Sequence, residues 1–172
     1  MAAQFYPAQK LFSLGVEKVV LGAAAFETPG IVTEISKNYG SQSAVVCVDV
    51  KNNFFRGKRV YSRNVHSFTH EHPLDFARKM QALGAGEIIL QSVVRDGTGT
   101  GYDLPLIRMI AEKVDVPVIA LGGAGKFDDF ILAVTEGKAS AVAAGSLFVF
   151  QGPHRAVLIS YPEPGFLQNL VN

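Results

Sequence analysis

The chain contains no tryptophan and one cysteine, Cys47, set inside an apolar run. A single cysteine excludes a disulfide framework and a cysteine-based zinc site. No apolar run approaches the roughly 18 uninterrupted residues of a transmembrane helix. The opening MAAQFYPAQK lacks a charged segment leading into an apolar one, so no signal peptide is read there and the cytoplasm is the expected location. Neither sign of charge dominates: 16 basic and 15 acidic residues leave a net charge of +1. That removes the electrostatic case for nucleic acid or an anionic membrane as partner. The dinucleotide fingerprint is also missing, both in its glycine spacing and in the acid ~20 residues downstream, and no cofactor or metal is expected.

What is present is a folding domain. Hydrophobic residues make up 48% of 172, which excludes a disordered chain and suffices for one domain, residues 1–172, with its own core. Five short, nearly continuous apolar runs read as strands: Lys18–Gly22, Ala44–Val50, Glu87–Val93, Val116–Leu121 and Ala141–Gly145. Runs of this kind suit a parallel sheet buried on both faces. Helical patterns lie between them, at Ala8–Leu14, Thr28–Asn38, Pro73–Leu83, Leu104–Val114 and Phe127–Glu136. Pro29 and Pro73 stand at first-turn positions, and Gly84 and Gly137 at the ends. Strand–helix alternation at this pitch means βα units. The fold class is therefore α/β, a partial TIM-type barrel of about five parallel strands with flanking helices. One insertion interrupts it. Lys51–Thr69 holds two polar-aromatic runs about Arg56-Gly57-Lys58 and reads as a β-hairpin above the barrel. A faint repeat, GVEKVVLGAAAF and GKASAVAAGSLF, fits a barrel of two similar halves.

Alternation along the strands collects the polar residues on one parity. Lys18 and Glu87 fall at strand starts, on the barrel floor, or else simply at solvated strand entries. Asp49 and Gln91 fall toward strand ends, where barrel enzymes keep their acids and bases. An Asp there can also just cap a turn. The run EIILQSVVRDGTGTGYD ends its strand in Asp96 and Gly97 and continues through glycines, an arrangement that admits a ligand. Arg95 suits a structural pairing as well as an anion. Gly122 and Gly123, in ALGGAGK, follow a strand and precede a helix, so backbone N–H groups can meet phosphate oxygens. Ala144, Gly145 and Ser146 form a second set after the next strand. Phosphate sites built from the last two strand loops recur in barrels. His66, His70 and His72 read as a solvated loop, since no acid or thiol has ligand spacing with them.

On GVEKVVLGAAAFETP, GSQSAVVCVDVK, LGAGEIILQSVVRDGTGTGYD, PVIALGGAGK and ASAVAAGSLF, from about Gln9 to Phe150, the chain resembles the HisF family. That family supplies the cyclase subunit of imidazole glycerol phosphate synthase. The resemblance implies a two-fold symmetric (βα)8 barrel that takes ammonia from a HisH-type glutaminase subunit and forms imidazole glycerol phosphate in histidine biosynthesis, a lyase reaction. It implies a catalytic role for Asp49. It implies substrate-phosphate roles for Asp96, Gly97, Gly122, Gly123, Ala144, Gly145 and Ser146, and an ammonia gate at Lys18 and Glu87.

The departures are specific. The family's first-strand aspartate has no counterpart here, and the chain corresponds to roughly the last five βα units. Gly22-Ala23 replaces an Asn-Thr, Val94 replaces an Asp, and Leu121 replaces a small polar residue. The hairpin NNFFRGKRVY and the tail FVFQGPHRAVLISYP look more like a paralogous branch thought to feed ammonia to an amidotransferase making acetamidino surface sugars. An inactive barrel fragment, self-associating through open sheet edges, is the third reading.

Overall fold

A computed structural model describes residues 2–64, 66–152, 154–163 and 165–166, with the side chains of 2–6 and 151 left aside. Pro153 of the tail motif lies outside the described residues. The element order is α1 (Ala2–Ser13), β1 (Val19–Leu21), α2 (Ala23–Glu27), α3 (Gly30–Tyr39), β2 (Ala44–Asn53), β3 (Gly57–Ser62), β4 (Ser67–Phe68), α4 (Pro73–Ala82), β5 (Glu87–Ser92), α5 (Leu104–Ala111), β6 (Val118–Leu121), α6 (Asp128–Thr135), β7 (Ala141–Ala143), α7 (Ser146–Val149), β8 (Phe150–Gln151) and β9 (Ala156–Val157).

All five expected strands form and pair in parallel, in the order β1-β2-β5-β6-β7. Among the described residues β1 and β7 do not pair, so the sheet is open. One parity of the strands is driven inside. Val46, Val48, Ile88, Leu90 and Val118 are buried with Ile35, Phe76, Met80, Leu106 and Ile110 of the covering helices. Each such side chain contributes about 1.5–3 kcal/mol on leaving water. The other parity carries Cys47, Asp49, Glu87, Ile89, Gln91, Ile119 and Leu121, all half-buried. Val20, on that face, is 55% exposed. That face of the sheet is thus only partly covered.

Two sequence expectations shift. Pro29 is the N-cap of α3 instead of its first residue, and Ala23–Glu27 forms a separate short helix before it. The alanines supply helix propensity there without any cap signal. The hairpin forms, with β2 running on to Asn53 and β3 returning antiparallel from Gly57. Asn53 Oδ1 accepts from the N–H groups of Phe55 and Arg56 at 3.0 and 3.1 Å, which closes the turn. β4 adds a third, two-residue strand. Lys58 at the hairpin donates to Asp103 Oδ1 at 2.7 Å, and Asp103 also caps α5 through the N–H of Leu106. One carboxylate therefore ties the insertion to the loop that follows β5. Among the described residues no helix is long and apolar enough to cross a membrane.

Candidate active site

Asp49 lies beside Gln91 in the β2–β5 register. Its Oδ2 accepts from Arg63 Nε at 2.8 Å, and Arg63 comes from the chain just after β3. That bond raises the guanidinium pKa above its usual value; the Asp96 charge adds to it, while partial burial opposes. Asp49 Oδ1 is buried and meets no donor among the described residues. The depression around it is lined by Gly22, Ala23, Phe26, Cys47 and Arg63. Burial, and next the Asp49 charge, pushes the Cys47 thiol up to about 12, so Cys47 sits there as a neutral thiol and not as a nucleophile. Gln91 bridges toward the second loop, its Nε2 donating to Asp96 Oδ2 at 2.9 Å.

Asp96, Gly97, Gly122, Gly123, Gly145 and Ser146 line one depression at the C-terminal ends of β5, β6 and β7, with Ala144 beside them. The residues singled out as phosphate ligands thus come from three strand loops to one place. A wider cleft adjoins it between Thr98, Gly99, Gly125, Ser146, Phe150 and Arg155. No protein acceptor among the described residues meets the N–H of Gly97, Ala124 or Gly145. Those of Gly125 and Lys126, by contrast, donate to Asp129 Oδ2 at 2.8 and 3.1 Å. Asp129 is 7% exposed and fixes the loop at the start of α6.

The glycine loops are also bound to each other. Gly101 N–H donates to Gly123 O at 2.8 Å, and Arg95 Nη1 donates to Gly101 O at 3.0 Å. Arg95 therefore takes the structural role. Tyr102, 3% exposed, donates from its hydroxyl to Ala143 O at 2.9 Å and fastens the RDG loop to β7. Burial raises its phenol pKa.

Lys18 and Glu87 form an ion pair at the opposite, N-terminal end of the sheet, across β2. The three histidines do separate work. His72 Nδ1 accepts from Leu74 N–H at the start of α4, His70 Nδ1 lies 2.7 Å from Arg56 Nη1, and His66 has a positive φ of 47°. Asp129 and Arg155 are site residues that the sequence reading missed. Two consecutive acids, Asp128 and Asp129, at the head of a helix were a usable signal for the first. Nothing local marked Arg155.

An open parallel α/β sheet with an acid and glycine loops at its strand C-termini defines a TIM-barrel-type chain, with its candidate site on the face where that fold keeps its chemistry. The chain belongs to the histidine biosynthesis protein family, which matches residues 4–153. It is 47% identical, over 91% of its length and 62% of the relative's, to the "Putative imidazole glycerol phosphate synthase subunit hisF2" of Pseudomonas aeruginosa. A protein of Vibrio vulnificus, named in the same way as hisF3, is 43% identical over 91% of this chain and 61% of its own. The imidazole glycerol phosphate synthase subunit HisF of Alkaliphilus metalliredigens is 41% identical over 81% and 56%. The chain thus spans a little over half the length of these curated relatives.

Proposed function

We propose that this chain holds the last five βα units of a HisF-type cyclase subunit. It binds a phosphorylated substrate at the strand C-termini and works with a HisH-type glutaminase that supplies ammonia through the floor marked by Lys18 and Glu87. In this reading Asp49 is the general acid/base of ring closure, giving imidazole glycerol phosphate. The observation that carries it is Asp49 Oδ1, a buried acceptor with no donor among the described residues, on the face that also presents Gln91. A buried carboxylate oxygen without a partner costs free energy, and a proton exchanged with substrate is a reason to keep it. Asp96, Gly97, Gly122, Gly123, Ala144, Gly145 and Ser146 would hold the phosphate through backbone N–H groups.

A second reading has its own support. Arg63 is ion-paired to the other oxygen of Asp49. A carboxylate oxygen that already accepts from a guanidinium is engaged and less open to substrate. In that reading the chain is an ammonia-supplying accessory subunit for an amidotransferase making acetamidino sugars.

The test is an ammonia-dependent cyclase assay with the chain and Asp49→Asn. General acid/base loss should lower turnover about 10²–10⁴-fold. Equal turnover by both proteins would sink the assignment of Asp49. No turnover by either, with glutaminase activity still stimulated on mixing, would favour the accessory role.

A further inference from the structure

We infer that Arg155 is a specificity-determining residue of the phosphate cleft, the side chain that reads the phosphoryl group where the glycine loops only accommodate it. The inference rests on the anion-site reading above and adds to it a charged ligand that none of the strand-loop residues provides.

The geometry is specific. Arg155 closes the turn between β8 and β9, where its N–H donates to Gly152 O at 3.1 Å. It holds a positive φ of 50°, a conformation that non-glycine side chains adopt only under constraint. The turn sends the guanidinium back across the molecule. Nη1 donates to Gly97 O at 3.1 Å, from 58 residues away in sequence. The guanidinium carbon lies 4.6 Å from the centre of the Phe150 ring. One hydrogen bond and one ring fix the plane of a group that has five N–H donors. The remaining donors border a cleft shared with Thr98, Gly125 and Ser146.

The charge balance of that cleft points to an anion. Among the described residues Arg155 is the one ionisable side chain lining it, with no carboxylate. The other walls are glycine, alanine, hydroxyl and apolar groups. Asp96 lines the adjoining depression, and its Oδ2 already accepts from Gln91. A planar fork beside free backbone donors at Gly97 and Ala124 matches the oxygens of a phosphate monoester. Stacking on Phe150 pre-orients the fork, so little rotamer freedom is lost on binding.

The experiment measures binding of inorganic phosphate and of ribose 5-phosphate to the full chain, by calorimetry and by amide shifts at Gly97, Ala124 and Ser146. Wild type is compared with Arg155→Ala and Arg155→Lys. Losing a charge-assisted pair should weaken ribose 5-phosphate binding about 10- to 100-fold in Arg155→Ala. Arg155→Lys should recover only part of the loss, because the point charge returns without the fork. Circular dichroism and urea midpoints keep folding separate from binding. Wild-type binding matched by Arg155→Ala would overturn the inference and leave the anion site standing. Amide shifts at the glycine loops absent even in wild type would overturn the anion site itself. Equal weakening of inorganic phosphate and ribose 5-phosphate assigns Arg155 to the phosphoryl group alone; weakening confined to ribose 5-phosphate would overturn that assignment.

Discussion

Gly122→Ala separates a glycine kept for packing from one kept for a ligand. Gly122 has φ +89°, and a Cβ built on it would lie 2.8 Å from Ser92 O and 3.4 Å from Ser92 N, both backbone atoms at the end of β5. Neither can rotate away. A left-handed backbone costs a non-glycine residue about 1–2 kcal/mol. Forcing a methyl into a filled site costs about 1–3 kcal/mol more. The reduced freedom of the unfolded chain returns about 0.4–1 kcal/mol. The net loss is about 1–5 kcal/mol, a large share of the ~5–15 kcal/mol by which domains are stable. The matched control is Gly145→Ala. Gly145 has φ −116°, and its Cβ would meet nothing within 4 Å. It should leave stability within about 0.5 kcal/mol, as open positions do. Urea unfolding of both variants by circular dichroism gives the difference directly. Equal midpoints would refute the argument, because the Ser92 contact would then carry no cost.

Two further perturbations follow. Tyr102→Phe removes the hydroxyl that donates to Ala143 O and should cost about 0.5–1.5 kcal/mol, the usual net worth of a hydrogen bond, since the carbonyl it leaves is only half-buried; an unchanged urea midpoint would show the bond to be dispensable. Cys47 predicts a pH slope. Its thiol stands at about 12 against an ordinary 9.0, so its contribution to stability is complete below about pH 9 and is lost as pH rises toward 12. Comparing urea midpoints at about pH 8 and about pH 10.5, the wild type should lose more stability than Cys47→Ala; parallel losses would place the slope elsewhere.

The scaffold was legible in the sequence because its strands are buried by brute composition. Val46, Val48, Ile88 and Leu90 are buried in one cluster with the apolar residues of the covering helices. The parity argument worked for the same reason: one face must be apolar, so Asp49, Gln91 and Glu87 collect on the other. The gathering of Asp96, Gly122, Gly145 and Ser146 around one depression was legible too, since parallel strands put their C-terminal ends together. What was not legible are bonds between distant segments. Arg63 on Asp49, Lys58 on Asp103 and Tyr102 on Ala143 depend on where the hairpin and the RDG loop settle. Local periodicity says nothing about that.

The glycines show the limit of motif reading most clearly. ALGGAGK and RDGTGTG look like ligand loops because they lack side chains. At Gly123 and Gly125 the missing Cβ atoms make room for the carbonyls of Gly101 and Gly99. The motif is first a rule for packing two loops together, and Asp129 then occupies two of the donors that the loop would have offered a phosphate. Affinity must come from the free N–H groups at Gly97, Ala124 and Gly145, and from a cation that the motif does not spell. Among the described residues Arg155 is the one cation lining the cleft, and it is set there by a turn outside both glycine motifs.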